Sequence, residues 1–301
     1  VSVLDQLPAG SRVLLVRLRS LGDCVLTTPA IELLGRFRPD LRLAVVAEDR
    51  FRAVYQGNPF VSACFGPSYR EVFRFHPRLT INLHGGTRSA LLTVASGAQY
   101  RAGFAHFRPR WIYNIRIPRA QEILGLERKV HTAEHVASAM FYLGVPQTDI
   151  PRASLYAPSS PPRAPYAVLH ALASAPGKMW PADRFAALAA WLRDTGMEPV
   201  FIGAASDDLS PYAGFRCVQG ASLEEVKMLL AGASLFVGND SGPAHMAAAF
   251  GVPAVVLFGA SDPVIWGPWK TPAETMVGRG AMDSISLEAV CEAVQRLRVR
   301  V

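Results

Sequence analysis

The 301 residues include only four cysteines, Cys24, Cys64, Cys217 and Cys291, and no two of them form a CxxC pair. That scarcity argues against a zinc ribbon or a disulfide framework and fits a reducing cytosol. The seven histidines show no HExxH or comparable ligand spacing, so no metal centre is legible. No apolar run reaches the roughly 18 to 20 residues that a membrane span needs. The best candidate, MAAAFGVPAVVLFGA from Met246, is broken by Gly251 and Pro253 and reads as helix, turn and buried strand. The opening VSVLDQLPAGSR lacks the basic, apolar and small-residue order of a signal peptide, although a first residue other than Met leaves room for a lost leader. A GxGxxG fingerprint and a GxxxxGK[ST] loop are also missing, which excludes the standard dinucleotide turn and the P-loop.

What is present is a half-hydrophobic chain, long enough for one large or two ordinary domains. Its 24 Gly and 23 Pro are scattered, as turn punctuation between many short elements would be. The net charge of +7 is uneven: residues 1–150 hold 19 basic and 11 acidic side chains (+8), and residues 151–301 hold 12 and 13 (−1). Nearly all the excess is arginine. An arginine-rich solvated surface accounts for this, and so does a first half facing an anionic partner, since the guanidinium fork binds phosphate and carboxylate bidentately. No zinc-finger, RNP or aromatic–basic interleaving supports nucleic acid; a phosphorylated lipid or a membrane surface explains the asymmetry.

Short β-branched runs alternate with stretches of helical period. RVLLVRL (12–18) reads as a buried strand, followed by an amphipathic stretch to Phe37. LRLAVVAE (41–48) reads as the next strand and leads into a helix to Tyr55; VSACF, LTINLH and YRAGF are further strands, and 131–144 is a helix ended by Gly144. YAPSSPPRAPY (156–166) cannot join a helix or a central strand and is the linker. The alternation then restarts: YAVLHAL, EPVFIGA, LFVGND and AVVLFGA as strands, with helices between them that include one capped by Ser222 and a last one over 286–297. This grammar predicts an α/β protein of two Rossmann-like parallel-sheet domains, 1–157 and 158–301, binding ligands between them at the carboxyl ends of both sheets. The last helix, 286–301, is expected to pack back on the first domain.

Chemistry in such folds sits in the strand-to-helix turns. In RSLGDCVLTTPA (19–30), Gly22 permits a tight turn and Asp23 opens a helix, either as an N-cap or as a functional carboxylate. In HALASAPGKMWPADRF (170–185), Lys178 is one of only four lysines and stands in a glycine-bearing turn suited to phosphate, while Trp180 reads as core. In LFVGNDSGPAHMAAAFGVP (235–253), a buried strand runs into a helix whose first N–H groups, at Ser241 and Gly242, form an anion site. Asp240 could cap that helix, and His245, one turn in, is either a packing residue or part of the site.

Taken together, RLRSLGDCVLTTPA, KMWPADRFAAL and FVGNDSGPAHMAAAFGVPAVVLFGASDPVIWGPW resemble the heptosyltransferases of glycosyltransferase family 9 over nearly the whole length. The resemblance implies the GT-B fold, two Rossmann-like domains facing each other across a cleft, with the donor mainly on the second. It implies inverting, metal-independent transfer of heptose from ADP-heptose to a lipopolysaccharide core acceptor, with no cofactor. Under it, Asp23 is the catalytic aspartate; Ser174, Lys178, Asp207, Ala221, Asp240, Ser241, Gly242 and His245 bind the donor; Arg19, Gly22, Thr87 and Arg88 lie at the acceptor. Asp207 is the ribose carboxylate, with Asp208 as a close competitor. The implied partners are an ADP-sugar and an anionic lipid-linked saccharide, and the implied place is the cytoplasmic face of the inner membrane, held peripherally. Ala173 and Met179 depart from the family, which often has glycine or threonine at the first and a basic residue at the second, and GGTRSALLTVASGAQYRAGF matches it only loosely.

An inverting transfer needs one base, which a lone Asp23 could supply, in contrast to the paired carboxylates of hydrolases. No Asp-x-Asp triplet of the metal-dependent transferases is present. Two rivals keep the same donor loops: a GT-B-fold sugar-nucleotide epimerase, and a non-catalytic nucleotide-sugar-binding protein.

Overall fold

The computed structural model describes residues 2–158, 164–173 and 175–300, so the proline-rich linker lies partly outside it. The chain divides into two units, Val1–Tyr156 and Ala157–Val301. In the first, β1 (Arg12–Val16), β2 (Arg42–Val46), β3 (Val61–Phe65), β4 (Leu79–Asn82), β5 (Tyr100–Phe104) and β6 (Ile115–Ile117) form a parallel sheet in the order β3-β2-β1-β4-β5-β6. In the second, β7 (Tyr166–His170), β8 (Glu198–Gly203), β9 (Arg216–Gln219), β10 (Leu235–Asn239), β11 (Ala254–Phe258) and β12 (Ala273–Val277) form another, ordered β12-β11-β10-β7-β8-β9. Numbered from its own first strand, the second sheet has the same Rossmann order as the first. Its inner strands β10 and β11 are buried at every residue, because helices cover both faces of a parallel sheet and leave no polar side.

The first unit carries α1 (Leu21–Val25), α2 (Thr28–Phe37), α3 (Tyr69–Arg74), α4 (Thr87–Ala95), α5 (Ala120–Leu124) and α6 (Thr132–Leu143). The amphipathic stretch expected up to Phe37 is therefore two helices. Pro29 is the reason: it is tolerated in the first turn of α2 but would break a continuous helix. The helix expected after β2 is a 3-10 helix, Asp49–Val54. Gly144 ends α6 at φ 130°, a conformation that disfavours a side chain.

The second unit carries α7 (Ala182–Asp194), α8 (Leu223–Ala231), α9 (Gly242–Phe250), α10 (Pro263–Trp266) and α11 (Leu287–Arg300). Ser222 caps α8 reciprocally with Glu225, whose amide donates to the Ser222 hydroxyl at 3.2 Å while its carboxylate accepts the Ser222 N–H at 2.7 Å. The last helix directs its apolar face into its own unit: Val290, Ala293, Val294 and Leu297 share one core with Trp180, Phe185 and Phe201.

Candidate functional site

In a sheet of Rossmann order the chain leaves the two central strands in opposite directions, which opens a crevice above their carboxyl ends. In the first unit those strands are β1 and β4, and in the second β7 and β10. The sequence-selected loops, 19–30, 170–185 and 235–253, all leave one of these four strands.

At the first switch point Asp23 is not the N-cap. Ser20 holds that position, and Asp23 is the third residue of α1. Its Oδ2 accepts the Ser20 N–H at 3.1 Å and the Ser20 hydroxyl at 3.0 Å, while Oδ1 faces the Arg17 guanidinium at 3.4 Å. Arg17 also donates to the Thr27 hydroxyl at 3.1 Å, and that hydroxyl donates to the Asp23 carbonyl at 2.8 Å. One carboxylate oxygen is thus fixed by the backbone and the other has a single long contact. Gly22 falls inside α1 rather than in a turn, and Arg19 is exposed. The neighbouring Cys24 is no rival nucleophile, since burial pushes its thiol up to about 12.

The loop after β4 comes to the same place. Asn82, the last residue of β4, is buried, and its carbonyl oxygen accepts the N–H groups of His84 (3.0 Å) and Gly85 (3.1 Å). Its amide donates to Ser89 and Tyr113. Gly85 and Gly86 both have positive φ (73° and 83°), and a Cβ on Gly85 would press on the Phe107 ring at 2.8 Å. Thr87 and Arg88 follow as the exposed first residues of α4. Three histidines that the sequence reading passed over belong to this neighbourhood. Burial and then Arg17 push the His84 imidazole below its ordinary value, with Asp23 pulling the other way. His135 is driven to about 4 by burial, Arg17 and His106, again against Asp23; its ring stacks on Phe104 at 4.1 Å. His106 is lowered by burial and by Arg119 and Arg108. Arg17 acts on Asp23, His84 and His135 together, and a charged residue directly after four buried strand positions was the clue to it.

The second switch point is built in a similar way. Asn239, last in β10 and buried, donates to the Ala171 carbonyl at 2.7 Å and accepts the Trp180 N–H at 3.1 Å. It thereby ties the loop after β7 to the loop after β10. Leaving either group unmatched in the interior would cost about 1–3 kcal/mol. Lys178 Nζ stands 3.6 Å from the Asp240 carboxylate. Asp240 does not cap α9; its N–H continues the sheet to the Leu257 carbonyl at 2.9 Å. Ser241 is the N-cap residue, Gly242 the first helical residue, and the Ser241 hydroxyl lies 3.0 Å from His170 Nδ1 rather than on the helix backbone. The first N–H groups of α9 thus open beside the Lys178–Asp240 pair. Burial drives His170 to about 4, with Asp207 opposing, so Asp207 belongs to the same neighbourhood.

Asp207 closes the turn after β8, its Oδ2 accepting the Ala204 N–H at 2.7 Å. Asp208 is turned outward, and its Oδ1 accepts the Ser210 N–H at 2.9 Å at the start of a short 3-10 helix. Ala221 is half-buried between β9 and the cap of α8. His245 is buried in α9, its ring edge-on to Trp266 at 6.3 Å. Trp180 is core, donating from Nε1 to the Ile285 carbonyl at 2.8 Å. Ser174 lies outside the described residues. Among the described residues no group of three or more His, Cys, Asp or Glu side chains is placed to hold a metal.

Two Rossmann-order sheets, each with polar and charged side chains gathered at its switch point, define the class to which nucleotide-sugar transferases of GT-B type belong. Residues 78–294 match glycosyltransferase family 9 (heptosyltransferase). The chain belongs to that family and is a glycosyltransferase, which sets aside the epimerase and the non-catalytic binder. It is 26% identical over 288 residues to lipopolysaccharide heptosyltransferase 3 of Escherichia coli, covering 82% of each chain. It superposes on the glycosyltransferase family 9 structure from Veillonella parvula with a TM-score of 0.87 at 22% identity, covering 97% and 98% of the two chains. The E. coli heptosyltransferase WaaC, solved with ADP, gives a TM-score of 0.80 at 20% identity over 95% of this chain and 99% of that one. The same enzyme has also been solved with ADP-2-deoxy-2-fluoro heptose (TM-score 0.76, 21% identity, covering 95% and 99%).

Proposed function

We propose that this protein transfers heptose from ADP-heptose to a lipid-linked saccharide of the lipopolysaccharide core, with inversion and without a metal. The observation that carries this reading is the division of chemistry between the two switch points. The first offers a single fixed carboxylate, Asp23; the second offers a cation, Lys178, next to a helix N-terminus.

The acceptor hydroxyl loses its proton to Asp23 Oδ1 as its oxygen attacks the anomeric carbon, and the bond to the ADP oxygen breaks on the opposite face. Negative charge grows on the leaving diphosphate, where Lys178 and the N–H groups at Ser241 and Gly242 stabilise it. Asp240 holds the Lys178 ammonium at the mouth of α9. Asp207, following the second strand of its sheet, meets the ribose hydroxyls with the oxygen its turn leaves unused. Ser174, Ala221 and His245 complete the donor side, and Arg19, Gly22, Thr87 and Arg88 the acceptor side. The basic first half draws the enzyme to the cytoplasmic face of the inner membrane.

The deciding experiment incubates the protein with ADP-heptose and either Kdo-lipid A or its heptosylated form, followed by mass analysis and NMR of the new anomeric centre. A mass gain of one heptose with inverted configuration is expected; retention of configuration, or ADP-heptose consumed with no acceptor, would overturn it.

Two further outcomes follow. Lys178→Ala should weaken ADP binding by about 1.5–3 kcal/mol, the range for a charged hydrogen bond. In a calorimetric titration that is roughly a 10- to 100-fold rise in Kd, and an unchanged Kd removes Lys178 from the site. Turnover should also survive EDTA, because Lys178 and the α9 N-terminus already meet the diphosphate charge. A loss of rate restored by magnesium or manganese would replace them with a metal.

A further inference from the structure

The positive charge of this chain is concentrated in one segment. From Arg50 to Gln121 there are 11 arginines and a single acid, Glu71, a net of +10 against +7 for the whole protein. The same segment exposes large apolar side chains: Trp111 (74%), Phe73 (55%), Leu91 (49%), Tyr69 (48%) and Val94 (42%). The two features share one face. Val72 of α3 and Leu92 of α4 lie in one core cluster, and Ala90 of α4 lies in another with Ile112, Tyr113 and Phe107, so α3, α4 and the 105–111 loop are packed side by side.

The pattern on α4 departs from an ordinary surface helix, since apolar residues lie on both its buried and its exposed sides. Its inward positions include Ser89 and Thr93, both buried, while Leu91 and Val94 point to solvent in line with Arg88. On α3 the exposed residues Tyr69, Arg70, Phe73 and Arg74 repeat the mixture, and the exposed Trp111 directly follows the exposed Arg108, Pro109 and Arg110. Apolar and aromatic side chains ringed by arginine, with almost no acid, are the composition of an interfacial membrane surface. The placement suits the chemistry as well. The loops opening α3 and α4, and the 105–111 loop, all leave the carboxyl edge of the sheet, the edge at which Asp23 stands.

We propose that the face made by α3, α4 and the 105–111 loop docks on an anionic lipid bilayer. This inference rests on the lipid-linked acceptor argued above and adds the surface that meets it. Leu91, Val94, Phe73 and Trp111 enter the headgroup region, the arginines meet lipid phosphates, and an acceptor keeps its acyl chains in the bilayer while its saccharide reaches the sheet edge.

The test is co-sedimentation of the full chain with vesicles of phosphatidylethanolamine and phosphatidylglycerol, compared with phosphatidylcholine. Binding is expected only to the anionic vesicles and should fall on going from about 0.1 M to about 0.5 M salt, which shortens the screening length severalfold. A charge set, Arg70→Gln, Arg74→Gln and Arg110→Gln, should weaken binding by roughly 100-fold, since each basic residue near an anionic surface contributes about a factor of five. An apolar set, Leu91→Gln, Val94→Gln and Trp111→Gln, should weaken it by at least about tenfold. A control set in the same unit but off this face, Arg36→Gln, Arg42→Gln and Arg152→Gln, removes as many charges and should change binding little.

Equal losses in the control and charge sets would overturn the localised surface, as would binding indifferent to lipid charge. An apolar set that dissolves a dimer without changing vesicle binding would assign the face to a second copy instead. Thermal melts establish that each set folds. Turnover with a water-soluble acceptor fragment separates the two readings: wild-type turnover with unaltered vesicle binding in the variants sinks the docking face alone. No heptose transfer by the wild-type protein sinks the proposed function and leaves the vesicle result standing.

Discussion

Asp23→Asn is expected to cut turnover by about 10²- to 10⁴-fold while ADP still binds. The substitution removes the basic oxygen and keeps most of the local structure. Asp23 sits third in α1, with Oδ2 accepting the Ser20 N–H and hydroxyl, and an asparagine carbonyl can accept the same two donors. What it loses is charge beside Arg17, whose side chain is only 8% exposed. A modest loss of stability, about 1 kcal/mol, should follow from that weakened ion pair. Asp23→Ala should be harsher, about 2–3 kcal/mol, since it strands both a nearly buried guanidinium and the Ser20 donors. A carboxylate that acted only in the capping box would leave turnover near normal in the Asn variant. Single-turnover rates and urea melts on the two variants separate the roles, and a well-folded Asp23→Asn enzyme of normal rate would end Asp23's claim.

Acid should destabilise the fold before its carboxylates titrate, through His135 in the first unit and His170 in the second. Both imidazoles are driven to about 4 by burial, against a free value of 6.5. Between those limits the unfolded chain holds more protons than the folded one, so stability rises with pH. The stabilisation is complete above about pH 6.5 and is lost as pH falls towards about 4, at roughly 2–3 kcal/mol per histidine. His84 and His106, shifted in the same direction, add to the slope. His135→Phe should flatten the first unit's share, because a phenyl ring can take the imidazole's place against Phe104 and does not titrate. Urea midpoints measured between pH 7.5 and pH 4.5 would show this; a flat wild-type profile, or equal slopes in wild type and variant, would refute it.

Three of the strands that composition left unread, β6, β9 and β12, are sheet edges. An edge strand faces solvent along part of its length, as the mostly exposed Arg216–Gln219 of β9 does. It therefore lacks the unbroken apolar run by which β1 or β11 is recognised. The helix stop at Pro29 was written in the sequence but passed over.

Hydrophobic runs, glycine turns and the loop blocks around Asp23, Lys178 and Asp240 were enough to determine the α/β class, the two Rossmann-like halves and the family. Those features are local in the chain, and burial on both sheet faces imprints them directly on composition. Tertiary structure alone decided that Asn82 and Asn239 tie neighbouring loops together, that Arg17 acts on Asp23, Thr27, His84 and His135, and that Asp207 rather than Asp208 closes the turn after β8. It also decided that α3, α4 and the 105–111 loop share one face. Each of these depends on strands paired in the order β3-β2-β1-β4-β5-β6 and its counterpart, which brings residues far apart in the chain to one sheet edge. Spacing along a sequence does not encode that order, because it is selected by the packing of helices over the whole sheet.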